Sequence, residues 1–308
     1  MTRFAKGLLA IVILAVSGLQ PALAETKIKM MYTAVNGFAS AYVAQQEGIF
    51  HKRGLDVDFL LTASSANNAP ALISGSVEVA GPTMTSLLEA IDAGLDLVVF
   101  AGGAVYPLDK DMLVARAGSG IEKPTDLKGK RVGVPGFGAL LHVMLKRHLQ
   151  ANGVDPKDVT FVEIGFPQAS DALKSGQIDA YPAVAPFSAR ILQAGTGYEV
   201  ANWLKATPDG TLTVIYAATR KWATDNRKLI EDFKAGMAEA NALIKTDRDA
   251  LDKAVSTYTK LPIPVLKTLA PPNLIVDVTP EQVKWWIDIC KEQQIVKGNI
   301  DAKKIIVN

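Results

Sequence analysis

The sequence predicts an α/β protein of two lobes, each a mainly parallel sheet flanked by helices. Three observations carry this. Short β-like runs alternate with helix-like segments from Lys27 onward, the alternation restarts after Gly118, and one last β-run leads into a mostly helical remainder. Each alternating block is shorter than a typical domain, so two small lobes fit better than one continuous sheet.

In order, residues 27–32 read as a strand, 39–46 as a helix, 55–61 as a strand, 69–74 as a helix, 77–80 as a strand, 85–93 as a helix and 95–101 as a strand. The second block gives strand 131–134, helix 139–152, strand 159–164, helix 169–175, strand 178–181 and helix 185–194. Short connections between alternating elements are the mark of parallel crossovers. Thereafter 211–218 is a β-run, and 226–244, 248–258 and 279–292 are helical, separated by the proline-rich 261–264 and 270–272. A lone strand followed by helices makes no third α/β unit. It returns to the first lobe and covers it. The expected organisation is a leader over 1–24, lobe 1 over 25–117, lobe 2 over 118–206, and the return to lobe 1 with its helical cover over 207–308.

The leader is read from its own layout. Arg3 and Lys6 precede an uncharged apolar run over 7–19, Gln20-Pro21 breaks it, and Ala22-Leu23-Ala24 supplies a small-x-small cleavage pattern. That is a secretory signal peptide, with cleavage after Ala24 and a mature chain from Glu25. At about 1.5 Å per residue the run reaches about 20 Å, short of the roughly 30 Å hydrocarbon core. No cysteine follows the cleavage point to carry a lipid, so the product is expected free in the periplasm.

Composition narrows the function classes. The chain holds 33 Lys+Arg against 31 Asp+Glu, and loss of Arg3 and Lys6 with the leader evens the signs. A neutral protein has no electrostatic case for nucleic acid or anionic lipid. Cys290 is the only cysteine, so no internal disulfide forms, and with no base beside it in sequence it reads as buried filler. Among the 3 histidines, His51 sits in a polar turn, and His142 and His148 miss the i, i+4 spacing of a metal pair. Neither a Gly-x-Ser-x-Gly elbow nor a paired cysteine motif occurs. No enzyme, metal or cofactor is expected.

Four motifs appear in a fixed order: Glu47-Gly48-Ile49-Phe50 with Gly54-Leu55-Asp56-Val57, then Ala71-Leu72-Ile73-Ser74-Gly75-Ser76-Val77-Glu78-Val79-Ala80, then Thr125-Asp126-Leu127-Lys128-Gly129-Lys130-Arg131-Val132-Gly133-Val134, then Ala172-Leu173-Lys174-Ser175-Gly176-Gln177-Ile178-Asp179-Ala180. Together they resemble the nitrate, sulfonate, taurine and thiamine-pyrimidine-precursor binding proteins, over residues 28–220. The resemblance implies a two-lobed, hinged periplasmic binding protein of the type II kind. It would be the solute-binding component of an ABC importer, a monomer that delivers its ligand to a permease and ATPase complex in the inner membrane. The ligand it implies is a small organic molecule, a sulfonate or an aromatic or aliphatic carboxylate. Alternatives on the same fold are a pyrimidine or thiamine-precursor binding protein, a thiamine-pyrimidine synthase, a menaquinone-pathway enzyme and a periplasmic sensor domain. The synthases carry a cysteine-rich motif that one cysteine cannot supply.

In open α/β sheets ligands lie beyond the carboxyl ends of the strands. The loops there are 33–38, 62–68, 81–85, 135–139, 165–168 and 181–187, and none contains Lys, Arg, His, Asp or Glu. Asn36, Ser64, Ser65, Thr83 and Thr85 offer neutral hydrogen bonds, although such residues also cap helices. Gly136-Phe137-Gly138 bares backbone N–H groups at a helix start. Phe38, Tyr181 and Phe187 are expected as flat cleft walls, whereas Phe166 reads as core. Arg190, the nearest cation, is expected to face solvent.

Overall fold

A computed structural model describes residues 25–64, 67–107, 111–201, 203–204 and 207–307. The expected leader and Ser65 lie outside the described residues. The first sheet comprises β1 (Thr26–Tyr32), β2 (Leu55–Leu61), β3 (Val79–Ala80), β4 (Leu97–Val105) and β10 (Leu212–Thr219), in the order β2-β1-β3-β10-β4. The second comprises β5 (Met112–Arg116), β6 (Arg131–Val134), β7 (Thr160–Glu163), β8 (Ala180–Ala183) and β9 (Gly197–Ala201), in the order β7-β6-β8-β5-β9.

The two sheets share one plan. β1 runs parallel to β2 and β3, and β10 runs antiparallel to both β3 and β4. β6 runs parallel to β7 and β8, and β5 runs antiparallel to β8 and β9. Each sheet is therefore mixed but mainly parallel, with one reversed strand next to an edge. In both cases the reversed strand is the first one formed after the chain crosses from the other sheet. The crossing into the second sheet precedes β5, ahead of Gly118 where the sequence places the restart. Sequence reading misses β5 and β9. Both are short, and β5 is recognisable as a strand only through its register with Ala180–Ala183 on β8.

Burial explains the strands that hold the core. In β1, Ile28, Met30 and Tyr32 turn inward, with Lys27 and Lys29 on the other face. β4 is buried along its whole length although it lies at the sheet edge. The C-terminal segment covers that edge: Gly102 N–H donates to Val276 O at 2.8 Å, Val105 N–H to Asn273 O at 2.9 Å, and Val307 N–H to Val99 O at 2.9 Å. An exposed strand edge invites foreign pairing, and this one is closed.

Helices α1 (Ala39–Gln46), α2 (Asn68–Ile73) and α3 (Met84–Asp92) connect the first lobe's parallel strands, and α4 (Leu140–Ala151), α5 (Ala169–Lys174) and α6 (Phe187–Gln193) serve the second. After β10 come α7 (Arg220–Asp225), α8 (Arg227–Ile244), α9 (Arg248–Thr259), α10 (Ile263–Leu266) and α11 (Pro280–Glu292). In α8, Ile230, Phe233, Met237, Ala240 and Ile244 form a buried stripe at helical spacing, which packs on α1. The helix α11 packs on α3 and reaches the other lobe, where Glu292 meets Arg147 of α4 at 3.1 Å and Gln293 donates to Gln150 at 2.9 Å. No helix among the described residues is long and apolar enough to cross a membrane.

Candidate functional site

A cavity with about 690 Å³ of atom-free space, part of it open to solvent, lies between the lobes. Its lining follows from strand direction. Thr33 to Phe38 follows β1, Gly81 to Thr83 follows β3, Pro135 follows β6, Phe166 follows β7, and Val184 with Ala185 follows β8. All five segments leave the carboxyl ends of parallel strands. Thr213 and Val214 also line the cavity, from the start of β10. Because β10 is reversed, its first residues lie level with the ends of its neighbours. Sequence reasoning looked only past strand ends and missed this pair; the return of the chain after 206 is the signal that could have found it.

Of the residues expected at the site, Asn36, Phe38 and Thr83 line the cavity. Asn36 is only 8% exposed, and its carboxamide makes no hydrogen bond with any described residue. Phe38 is held edge-on to Tyr32 at 6.3 Å and to Tyr216 at 5.6 Å. Gly81 makes room for it, since a Cβ there would lie 2.2 Å from the Phe38 ring. Thr83 caps α3, its Oγ1 accepting from Ser86 N–H at 3.4 Å. The capping alternative raised by the sequence therefore operates at this residue. Thr85 is fully buried on α3 with its hydroxyl 3.0 Å from that of Thr83, and it does not line the cavity. Ser64 is buried beside Thr62, whose hydroxyl donates to Ser64 O at 2.9 Å.

The other lobe rearranges the expected walls. Phe166 is buried in the core, as expected, and also lines the cavity. Tyr181 and Phe187, expected as walls, sit behind it. Phe187 stacks on Phe166 at 5.7 Å and 13°, and Tyr181 meets it edge-on at 6.2 Å. The Tyr181 hydroxyl donates to Ile164 O at 2.9 Å, and burial raises its pKa well above the usual phenol value. A ring so satisfied inside the lobe has no polar handle left for a ligand. The Gly136-Phe137-Gly138 turn is also displaced from the lining, although Pro135 and Ala139 on either side belong to it. Phe137 is 49% exposed. Gly138 takes a left-handed φ of 72°, and a Cβ there would lie 3.0 Å from the Glu89 carboxylate of the first lobe. Its N–H donates to His142 Nδ1 at 3.0 Å.

The cavity lining contains no ionisable residue among the described residues. Arg190 donates to Pro167 O at 3.3 Å and is half-buried, not simply solvent-facing. A smaller pocket shares Asn36 and holds Arg248 and Asp252, which pair at 2.9 Å. No cluster of three or more His, Cys, Asp or Glu side chains suited to a metal occurs among the described residues. Burial, and secondarily Glu89, pushes the Cys290 thiol up to about 12, far from a reactive thiolate.

These features define a two-lobed α/β protein with an apolar cavity at the meeting of its strand ends. The chain belongs to the NMT1/THI5 like family, whose model matches residues 36–249. It is 28% identical over 247 residues to a provisionally named aliphatic sulfonates-binding protein of Escherichia coli strain K12, covering 77% of this chain and 74% of the relative. It is 26% identical over 226 residues to the taurine-binding periplasmic protein of the same strain, covering 72% and 68%. Among solved structures, the alkanesulfonate-binding protein SsuA from Xanthomonas axonopodis pv. citri, bound to MOPS, superposes with a TM-score of 0.78 at 21% identity, covering 92% of this chain and 99% of that one.

Proposed function

We propose that this protein is the periplasmic solute-binding component of an ABC importer, exported by its N-terminal leader and processed after Ala24. It captures a small organic molecule between its lobes, closes on it by hinge motion, and presents it unchanged to an inner-membrane permease. The observation that carries this reading is the cavity itself. Each lobe supplies one wall from its strand ends, so neither lobe alone encloses a ligand. The names of the sulfonate- and taurine-binding relatives support the same class of ligand. The cavity lining favours capture over chemistry, because it offers hydroxyls, an amide and apolar walls.

The test is a thermal-shift panel on mature protein, spanning alkane- and arenesulfonates, carboxylates and pyrimidines. A ligand at about a hundred times Kd adds roughly 2.7 kcal/mol, which raises Tm by several degrees. Recovery of the bound compound intact by mass spectrometry is expected. A turned-over product, or a panel without any shift, contradicts the reading.

A further inference from the structure

Resting on that reading of the cavity, we infer that its ligand carries one compact oxygen-bearing head and an apolar body without a second charged group. Asn36 and the start of α4 take the head. The body lies against Val35, Phe38, Leu140, Leu141, Phe166 and Val214.

The polar groups sort themselves by what they already hold. The Thr213 hydroxyl donates to Ala104 O at 2.9 Å, and Thr83 is engaged by the start of α3. Thr33 is only partly buried. Asn36 differs from all three: it is nine-tenths buried and has no partner among the described residues. The residue is buried, but its carboxamide has no hydrogen bond within the protein and borders the cavity, so the position is set up for a group that arrives with the ligand. The second observation comes from the opposite lobe. The residue preceding α4 is Ala139, which gives no side-chain cap, and Ala139, Leu140 and Leu141 all line the cavity. The first-turn N–H groups of a helix have no intrahelical acceptor, and they attract oxygen-bearing, negatively polarised groups. Ser, Thr, Asp and Asn are preferred at this place because their side chains accept from those N–H groups. An apolar residue here keeps that turn open.

The same lining argues against a zwitterion. No carboxylate borders the cavity among the described residues to receive an ammonium group. Asp252 lines the smaller pocket and not this cavity, is 2% exposed, and shares its charge with Arg248, which donates to its Oδ1 at 2.9 Å. An ammonium buried against Leu and Phe side chains would lose its hydration without compensation. A body of methylenes gains instead, about fourfold in affinity for each one buried, from about 0.8 kcal/mol per methylene.

Isothermal titration of the mature protein separates the cases. The probes are hexanesulfonate, hexanoate and hexanamide, which vary the head, against methanesulfonate, taurine and 6-aminohexanoate, which remove the body or add an ammonium. Binding of at least one of the first three is expected, more than about a hundredfold tighter for hexanesulfonate than for methanesulfonate if the sulfonate head is the one accepted. Hexanoate should exceed 6-aminohexanoate by at least about tenfold if the carboxylate is accepted. Asn36→Leu should weaken whichever head binds by about tenfold while leaving the unliganded Tm unchanged or higher, an outcome a structural role for Asn36 would not give. Taurine, methanesulfonate or 6-aminohexanoate binding as tightly as its partner overturns the inference, as does silence from all three six-carbon probes. A tight taurine complex that is lost in Leu141→Asp would keep the cavity as the ligand site and overturn only the rule on the body.

Discussion

Phe38 and Phe166 face the same cavity from opposite lobes, yet they are held in different ways. Phe38 is the front of a broad aromatic cluster: Tyr32 and Tyr216 meet it edge-on, and behind them Tyr42 stacks on Tyr258 at 4.5 Å and 13°. Phe166 rests on two rings, Phe187 face to face and Tyr181 at its edge, and next to it α4 begins without a side-chain cap. The first wall is a rigid platform built deep into its lobe. The second is a thin facing backed by two rings. In both, the ring that faces the cavity differs from the rings behind it by layer and not by residue type.

The largest effect expected from this contrast is at the rear of the thin wall. Tyr181→Ala should destabilise the protein by about 3–5 kcal/mol, the range for large aromatics cut from a core, read as a fall of roughly 10 °C in Tm. Affinity per folded molecule should change little. An unchanged Tm with collapsed affinity would instead put Tyr181 at the ligand.

Next is the front of the rigid wall. Gly81→Ala sets a Cβ 2.2 Å from the Phe38 ring, and the surrounding aromatics leave the ring little room to yield. A cost of about 1–3 kcal/mol from overpacking, with weakened ligand binding, is expected in denaturant unfolding and titration. Full affinity in this variant would show that the platform is softer than its packing implies.

A smaller change tests the capping assignment. Thr83→Ala should lose about 1 kcal/mol through the start of α3. A loss confined to binding, with unfolding unaltered, would make Thr83 a ligand contact and not a cap.

The smallest effect is at neutral pH and grows with acid. Burial, and secondarily Lys146, holds the His142 imidazole down at about 4. Its Nδ1 accepts from Gly138 N–H and so must be unprotonated in the folded turn. Between the unfolded value of about 6.5 and about 4, the unfolded chain binds a proton that the folded one does not. Stability therefore falls as pH drops through that window. His142→Gln should flatten this part of the Tm profile relative to the parent.

Much of this architecture was legible because periodicity and loop chemistry are local. The spans read for α1, β2 and β6 match those found. The strand-end rule picked out Asn36, Phe38 and Thr83, which line the cavity. What was not legible depends on pairing across the chain. β5 and β9 are defined by partners, and Thr213 with Val214 reach the cavity only because β10 is reversed between β3 and β4. Nor does a sequence reveal layers. Phe166 and Phe187 are both aromatics in loops at strand ends, and only the stacking of one on the other decides which faces the cavity.

The central claim is that one ligand is enclosed by strand ends of both lobes, and hydrogen exchange tests it most directly. Mature protein should be measured free and saturated with the compound that gives the largest thermal shift. Slowed exchange is predicted together at 33–38 and 81–83 in the first lobe and at 139–141 and 184–185 in the second. Protection in one lobe only, or on a surface away from these segments, would contradict it.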